Sequence, residues 1–178
     1  MVNTLGIRIL VGGAVLLSTA SFGYVVYRAT CATCGKSATP QVGPAADVSD
    51  EGNARVDRIA NHITAQDRLG EEDAQYLRDT LSESDEIVVQ RWALASMAEH
   101  LRKGSEMSEA TRALLVDTIV GNLSGTNQRL VICAIACSEQ AGLVQREDVR
   151  QKIVELRDDG NPHIAARATR SPLPGDGV

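Results

Sequence analysis

The sequence predicts an all-α protein: one membrane-spanning helix followed by a small domain of about six helices. Three observations predict it. Residues 9–27 run for 19 positions without a charge, between Arg8 and Arg28. Aromatic residues make up only 3% of the chain, so the cross-strand ring pairs that stabilise sheets are scarce. From residue 56 to residue 156 apolar side chains recur at intervals of three and four, the spacing of a helix face.

The apolar run, "ILVGGAVLLSTASFGYVVY", is long enough for a bilayer core of about 30 Å at about 1.5 Å rise per residue. A cleaved signal peptide is the competing reading, because "STA" at 18–20 offers small residues to a signal peptidase. The run continues through Phe22, Tyr24, Val25, Val26 and Tyr27, where a secreted chain would turn polar, so an uncleaved anchor over 9–28 is expected. Tyr24 and Tyr27 suit a headgroup belt. Arg28 precedes Cys31 where a lipobox needs a Leu-like residue, which argues against a lipoprotein. Arg8 on one side and Arg28 with Lys36 on the other nearly balance, and the orientation expected is N-terminus inside, with the helical domain on the non-cytoplasmic side. Gly6, Gly13 and Ala20 recur every seven residues, a small-residue stripe along which two copies could approach as a homodimer.

Residues 29–52 read as a flexible linker rich in Pro, Gly and acids, with "CATCGK" at 31–36 near its start. Cys31 and Cys34 are the metal candidates. Gly35 stands where a c-type haem needs His, and no βαβ context accompanies the pair to make it thioredoxin-like. The hexapeptide resembles the knuckle of a zinc ribbon, but a structural zinc needs four ligands and no second Cys-x-x-Cys follows. It is half a site, completed only if two chains share one zinc. A tether or incidental disulfide is the plainer reading.

The helical domain is expected over 53–170 and a disordered tail over 171–178. Val56, Ile59, Ala60 and Ile63 mark a first helix; Ala74, Leu77 and Leu81 a second, with Glu71, Glu72 and Asp73 in its first turn. A third runs from near Ser84 to Gly104, and a fourth, carrying Leu115, Ile119 and Leu123, is entered from Ser108. Leu130, Ala134, Cys137 and Ala141 mark a fifth that ends at Gly142, and Val149, Ile153 and Leu156 a sixth. A short seventh runs from Asn161 to about Arg170.

Aligning "EIVVQRWALA" (86–95), "NQRLVICAIA" (127–136) and "NPHIAARATR" (161–170) brings Val89, Leu130 and Ile164 into one column and Ala93, Ala134 and Ala168 into another. The last unit, "DGNPHIAARA", resembles the first helix of HEAT-like repeats, with Asn161, Pro162, Ile164 and Ala168 in place. The Val-Arg pair usual in that family is not clean in any unit, and the offsets of 41 and 34 residues are irregular. The resemblance covers about 54–170. It implies a right-handed solenoid of about three helix pairs, the alternative being a six-helix bundle. It also implies protein partners, such as subunits of a membrane complex, although some HEAT-like proteins act as lyases on pigments.

Nothing in the sequence specifies a reaction. The chain carries 18 Lys and Arg against 23 Asp and Glu, a net charge of −5, which argues against nucleic acid. His62, His100 and His163 fall at no metal-ligand spacing, and His62 and His100 read as polar-face helix residues. The pairs Glu71-Glu72, Asp85-Glu86 and Asp158-Asp159 sit at helix ends, where capping explains them. Asn122 begins a sequon that matters only in a eukaryotic secretory pathway. Cys133 and Cys137, four apart, read as small core residues. The expected role is therefore a non-enzymatic interaction or scaffold subunit, no cofactor being called for; a membrane-tethered thiol or metal protein working through Cys31 and Cys34 is the alternative.

Overall fold

The computed structural model describes residues 48–175; the expected membrane anchor, Cys31 and Cys34 lie outside them. Within that span there are seven α-helices and no extended strand. They are α1 (Asp50–Asp57), α2 (Glu71–Glu83), α3 (Ile87–Lys103), α4 (Glu109–Asn122), α5 (Gln128–Gln140), α6 (Glu147–Leu156) and α7 (Pro162–Thr169). A π-helical turn (Arg58–Ile63) continues α1, and a 3-10 turn (Leu143–Gln145) joins α5 to α6. Among the described residues no helix is long and apolar enough to cross a membrane.

Polar caps set most helix starts. Ser108 Oγ accepts from Thr111 N at 3.0 Å to begin α4. Asn127 Oδ1 accepts from Arg129 N at 3.0 Å ahead of α5, and Asn161 Oδ1 from His163 N at 3.0 Å ahead of α7, with Pro162 in the first turn, where its missing N–H costs nothing. The first helix begins at Asp50, inside the expected linker. Ser49 Oγ caps it by accepting from Gly52 N at 3.0 Å and itself donates to Glu86 Oε1 at 2.5 Å, which Ser49 N also reaches at 3.2 Å. An acid at the entrance of α3 thus fastens the start of α1.

α3 ends in a Schellman motif. Gly104 takes φ +67°, Gly104 N donates to Leu101 O at 3.3 Å, and Ser105 N to His100 O at 3.1 Å. This reversal carries Ser105 back beneath the last turn of its own helix. The next residue, Glu106, pairs with the segment before α2: Leu69 N donates to Glu106 O at 2.9 Å and Glu106 N to Asp67 O at 3.0 Å. The π turn is pinned by Thr64, whose hydroxyl donates to Ile59 O at 2.7 Å and lies 2.8 Å from Ser96 Oγ of α3. Arg58 from the same turn lies over the Tyr76 ring of α2, 3.7 Å from its centroid.

The three aligned segments open α3, α5 and α7, and these helices lie side by side in that order, α5 in the middle. α2 packs on α3 and α4, α4 on α3 and α5, and α6 on α7. All six residues of the two aligned columns are buried: Val89, Leu130 and Ile164, and Ala93, Ala134 and Ala168. Alanine is required where helix axes approach closely, because a longer side chain would hold them apart. The core is otherwise aliphatic, with Ile59, Leu77, Leu94, Leu115, Ile119 and Ile153 at its centre.

The expected disordered tail is ordered at its start. Ser171 and Leu173 are buried, Leu173 as part of the core, because a Leu two residues past Ser171 can reach back over the end of the last helix. Residues 176–178 lie outside the described ones.

Candidate functional site

Two groups of chemistry-bearing side chains come together in the domain. The first centres on His100. The sequence reading placed it on a polar face; the structure buries it completely. Its Nδ1 lies 2.9 Å from Ser105 Oγ and its Nε2 3.1 Å from Ile63 O. A carbonyl can only accept, so Nε2 carries the proton and donates, while Nδ1 accepts from the serine hydroxyl. Both nitrogens are satisfied by the neutral ring. Burial pushes its pKa below the usual histidine range, the Ile63 carbonyl opposing. What sequence spacing misses is Gly104: by turning the chain back it supplies Ser105 as partner to a ring that helical periodicity alone leaves outside. The arrangement is a hydrogen-bonded bolt between α3, its own C-terminus and the π turn, with both ring nitrogens engaged and none left for a substrate. His62 and His163 are exposed, in agreement with the reading of His62.

The second group surrounds Cys133 and Cys137. They stand one turn apart on one face of α5, with Sγ atoms 3.9 Å apart, and they are thiols rather than a disulfide. Cys137 belongs to the core and Cys133 is half-buried at its edge. α5 lies between α3 and α7, so Cys133 feels a cation from each neighbour: Arg91 of α3, which hydrogen-bonds to it, and the charge of Arg167 of α7. Arg167 is held by a bidentate contact with Glu139 of α5, Nη1 to Oε1 at 2.8 Å and Nη2 to Oε2 at 2.5 Å. The Cys133 thiol lies below its ordinary range, chiefly through its hydrogen bond to Cys137 and then through the positive fields of Arg91 and Arg167, which together outweigh its burial.

The aligned segments contain a signal for this cluster. The seventh position of each is Trp92, Cys133 and Arg167, so a side-by-side stack puts Cys133 next to Arg167 and beside the turn that bears Arg91. The expectation that Cys133 and Cys137 are core residues holds for Cys137 but not for Cys133, which is half-buried at the core's edge, and it omits the two cations. Further polar links tie the row together: Gln140 Nε2 donates to Glu99 Oε2 at 3.0 Å, and Asn161 Nδ2 to Gln128 Oε1 at 2.9 Å. The acid pairs lie at helix ends, where Asp159 Oδ1 accepts from Asn161 N at 2.7 Å, but Glu86 makes no cap bond to its own helix and holds Ser49 instead. Asn122 lies at the end of α4, its amide donating to Thr118 O at 2.8 Å.

Among the described residues no three His, Cys, Asp or Glu side chains converge on a point that could hold a metal. The zinc half-site expected of Cys31 and Cys34 lies outside them. Comparison of the chain with protein-family models, with curated proteins and with solved structures finds no match to any of them.

Proposed function

We infer that this chain is a single-pass membrane protein whose helical domain works as a non-enzymatic docking module, organised as a short HEAT-like solenoid of pairs α2–α3, α4–α5 and α6–α7. The observation that carries the reading is the row α3, α5, α7, in which equivalent positions of three related segments are buried together. A row of this kind grows by adding like units, and each unit buries its apolar face on the next. Domains built so present a broad surface and no inherent catalytic centre. The surface here is polar: among the described residues Val154 is the exposed large apolar side chain, at 45%. A partner would therefore be recognised through charge and hydrogen bonding rather than through a greasy patch. The anchor is the uncharged run 9–27, which would hold the domain at the non-cytoplasmic face of the cell membrane, beside the other subunits of a complex.

Tagged full-length chain, released from its native membranes in mild detergent, tests this. A protein partner recovered in fixed ratio is the expected result, and replacing both Cys31 and Cys34 with Ser leaves its recovery unchanged. A chain that emerges alone, as a monomer, refutes the docking role.

A further inference from the structure

The charges of the helical domain are sorted by layer. α2 and α4 pack on each other as well as on the row α3, α5, α7, so they cover one side of it. On the row every exposed charged residue is a cation: Arg102 and Lys103 of α3, Arg129 of α5 and Arg170 just past α7. Its two acids, Glu99 and Glu139, are half-buried and already engaged, Glu99 by Arg102 and Gln140, and Glu139 by Arg167. On α2 and α4 the balance reverses. Glu71, Glu72, Glu83, Glu109 and Asp117 are exposed there, against a single exposed cation, Arg78.

The arginines of the row share one face. Arg129, Arg170 and Arg102 stand at the third, tenth and seventeenth positions of the three aligned segments. Steps of seven residues return to one side of a helix, away from the buried fourth and eighth positions. The Glu99–Gln140 bond joins two fourteenth positions, so the register holds between α3 and α5. Ala95 and Ala136, both half-buried, occupy the tenth position in α3 and α5 and leave the surface between the arginines low. The outer side of α4 is low as well: Ala113 and Gly121 flank Asp117, all three exposed, with open space over Gly121.

We propose that the basic row of one copy docks on the acidic α2–α4 face of a second copy of this chain. A second copy satisfies both faces at once, whereas a lipid headgroup or an acidic peptide would meet only the row. Because the two faces differ, each pairing leaves one of each unused, and the contact repeats from copy to copy instead of closing at a dimer. The net charge of −5 does not oppose it. The faces lie two helices apart, about 20 Å, against a screening length of about 10 Å at 0.1 M salt, so a neighbour responds to the face it meets. One exposed ion pair contributes little, but several in complementary arrangement select the orientation. The contact needs neither the membrane anchor nor the partner of the docking reading.

Purified full-length chain in mild detergent, followed by sedimentation velocity over a range of concentrations, tests this. At about 50 mM NaCl, species larger than a dimer are expected to grow with concentration, and at about 500 mM association is expected to weaken at least about tenfold. Reversing the row (Arg129→Glu with Arg170→Glu) or the other face (Glu83→Lys with Asp117→Lys) should each weaken low-salt association at least about tenfold. An equimolar mixture of the two variants should recover a complex tighter than either forms alone, which also shows that both fold. Monomers at every salt, association untouched by either reversal, a mixture that stays apart, or a row that takes up phosphatidylglycerol added to the micelles in place of a second copy would each overturn the proposal.

Discussion

Replacing His100 with Ala removes a buried group that ties three segments together, and the structure sets the size of the loss. Two hydrogen bonds disappear, at about 1 kcal/mol each. The Ser105 hydroxyl, only 5% exposed, is left without its ring partner, which adds about 1 kcal/mol or more. The Ile63 carbonyl suffers less, since it still accepts from Gln66 N at 3.1 Å. Emptying the ring's volume adds a packing term, so the sum is about 4 kcal/mol, within the range of about 3–5 kcal/mol for truncating a buried aromatic ring. That is a large part of the stability of a domain of this size. Trp92 is the chain's single tryptophan and packs against the core, so its fluorescence during guanidinium unfolding reports this domain in the full-length protein. His62→Ala, at an exposed site, should stay within about 0.5 kcal/mol. If His100→Ala costs less than about 1 kcal/mol, the ring is not the bolt described and the Schellman turn does not serve it.

The same ring makes stability depend on pH. Its folded pKa is depressed, so below the ordinary histidine value of about 6.5 the unfolded chain binds a proton that the folded chain refuses. Stability is then complete above that value and falls as pH drops through it, by up to about 1.4 kcal/mol per pH unit; guanidinium midpoints at pH 7.5 and 5.5 should differ, and less so in His100→Gln. Arg167→Ala should cost about 1–3 kcal/mol by breaking a mostly buried bidentate pair, and should slow alkylation of Cys133 by removing a cation that holds its thiol down. Ala134→Leu, in the middle of the row, should cost about 1–3 kcal/mol or more by prising α5 from its neighbours, measured by thermal unfolding. Gly104→Ala should cost about 1–2 kcal/mol, although open space surrounds its missing Cβ, because φ is +67° there.

The helices were legible because their signals are local. Ser108, Asn127, Asn161 with Pro162, Gly104 and Gly142 mark boundaries that depend only on neighbouring backbone groups. Even the order of the row is foreshadowed by the alignment of 86–95 with 127–136 and 161–170. What stayed hidden depends on distant residues. Ser49 caps its helix through Gly52 N, a local signal that the linker reading passed over, while the Glu86 carboxylate that fastens Ser49 in place lies 37 residues away. His100 looks like a polar-face residue until Gly104 turns Ser105 beneath it. Cys133 looks like filler until α3 and α7 bring an arginine from either side.

The clasp between Ser49 and Glu86 has a mechanical consequence. Any pull on the chain ahead of Val48 enters the domain there, through hydrogen bonds at 2.5 and 3.2 Å that one carboxylate oxygen accepts. Gly52 lies directly beneath that carboxylate, where a Cβ would meet it at 1.9 Å. The load therefore passes to the entrance of α3, the helix that begins the row, before it reaches the core. Under tension the clasp acts as a fuse: α1 would peel away first, lengthening the chain by a few residues while the row behind it keeps its shape.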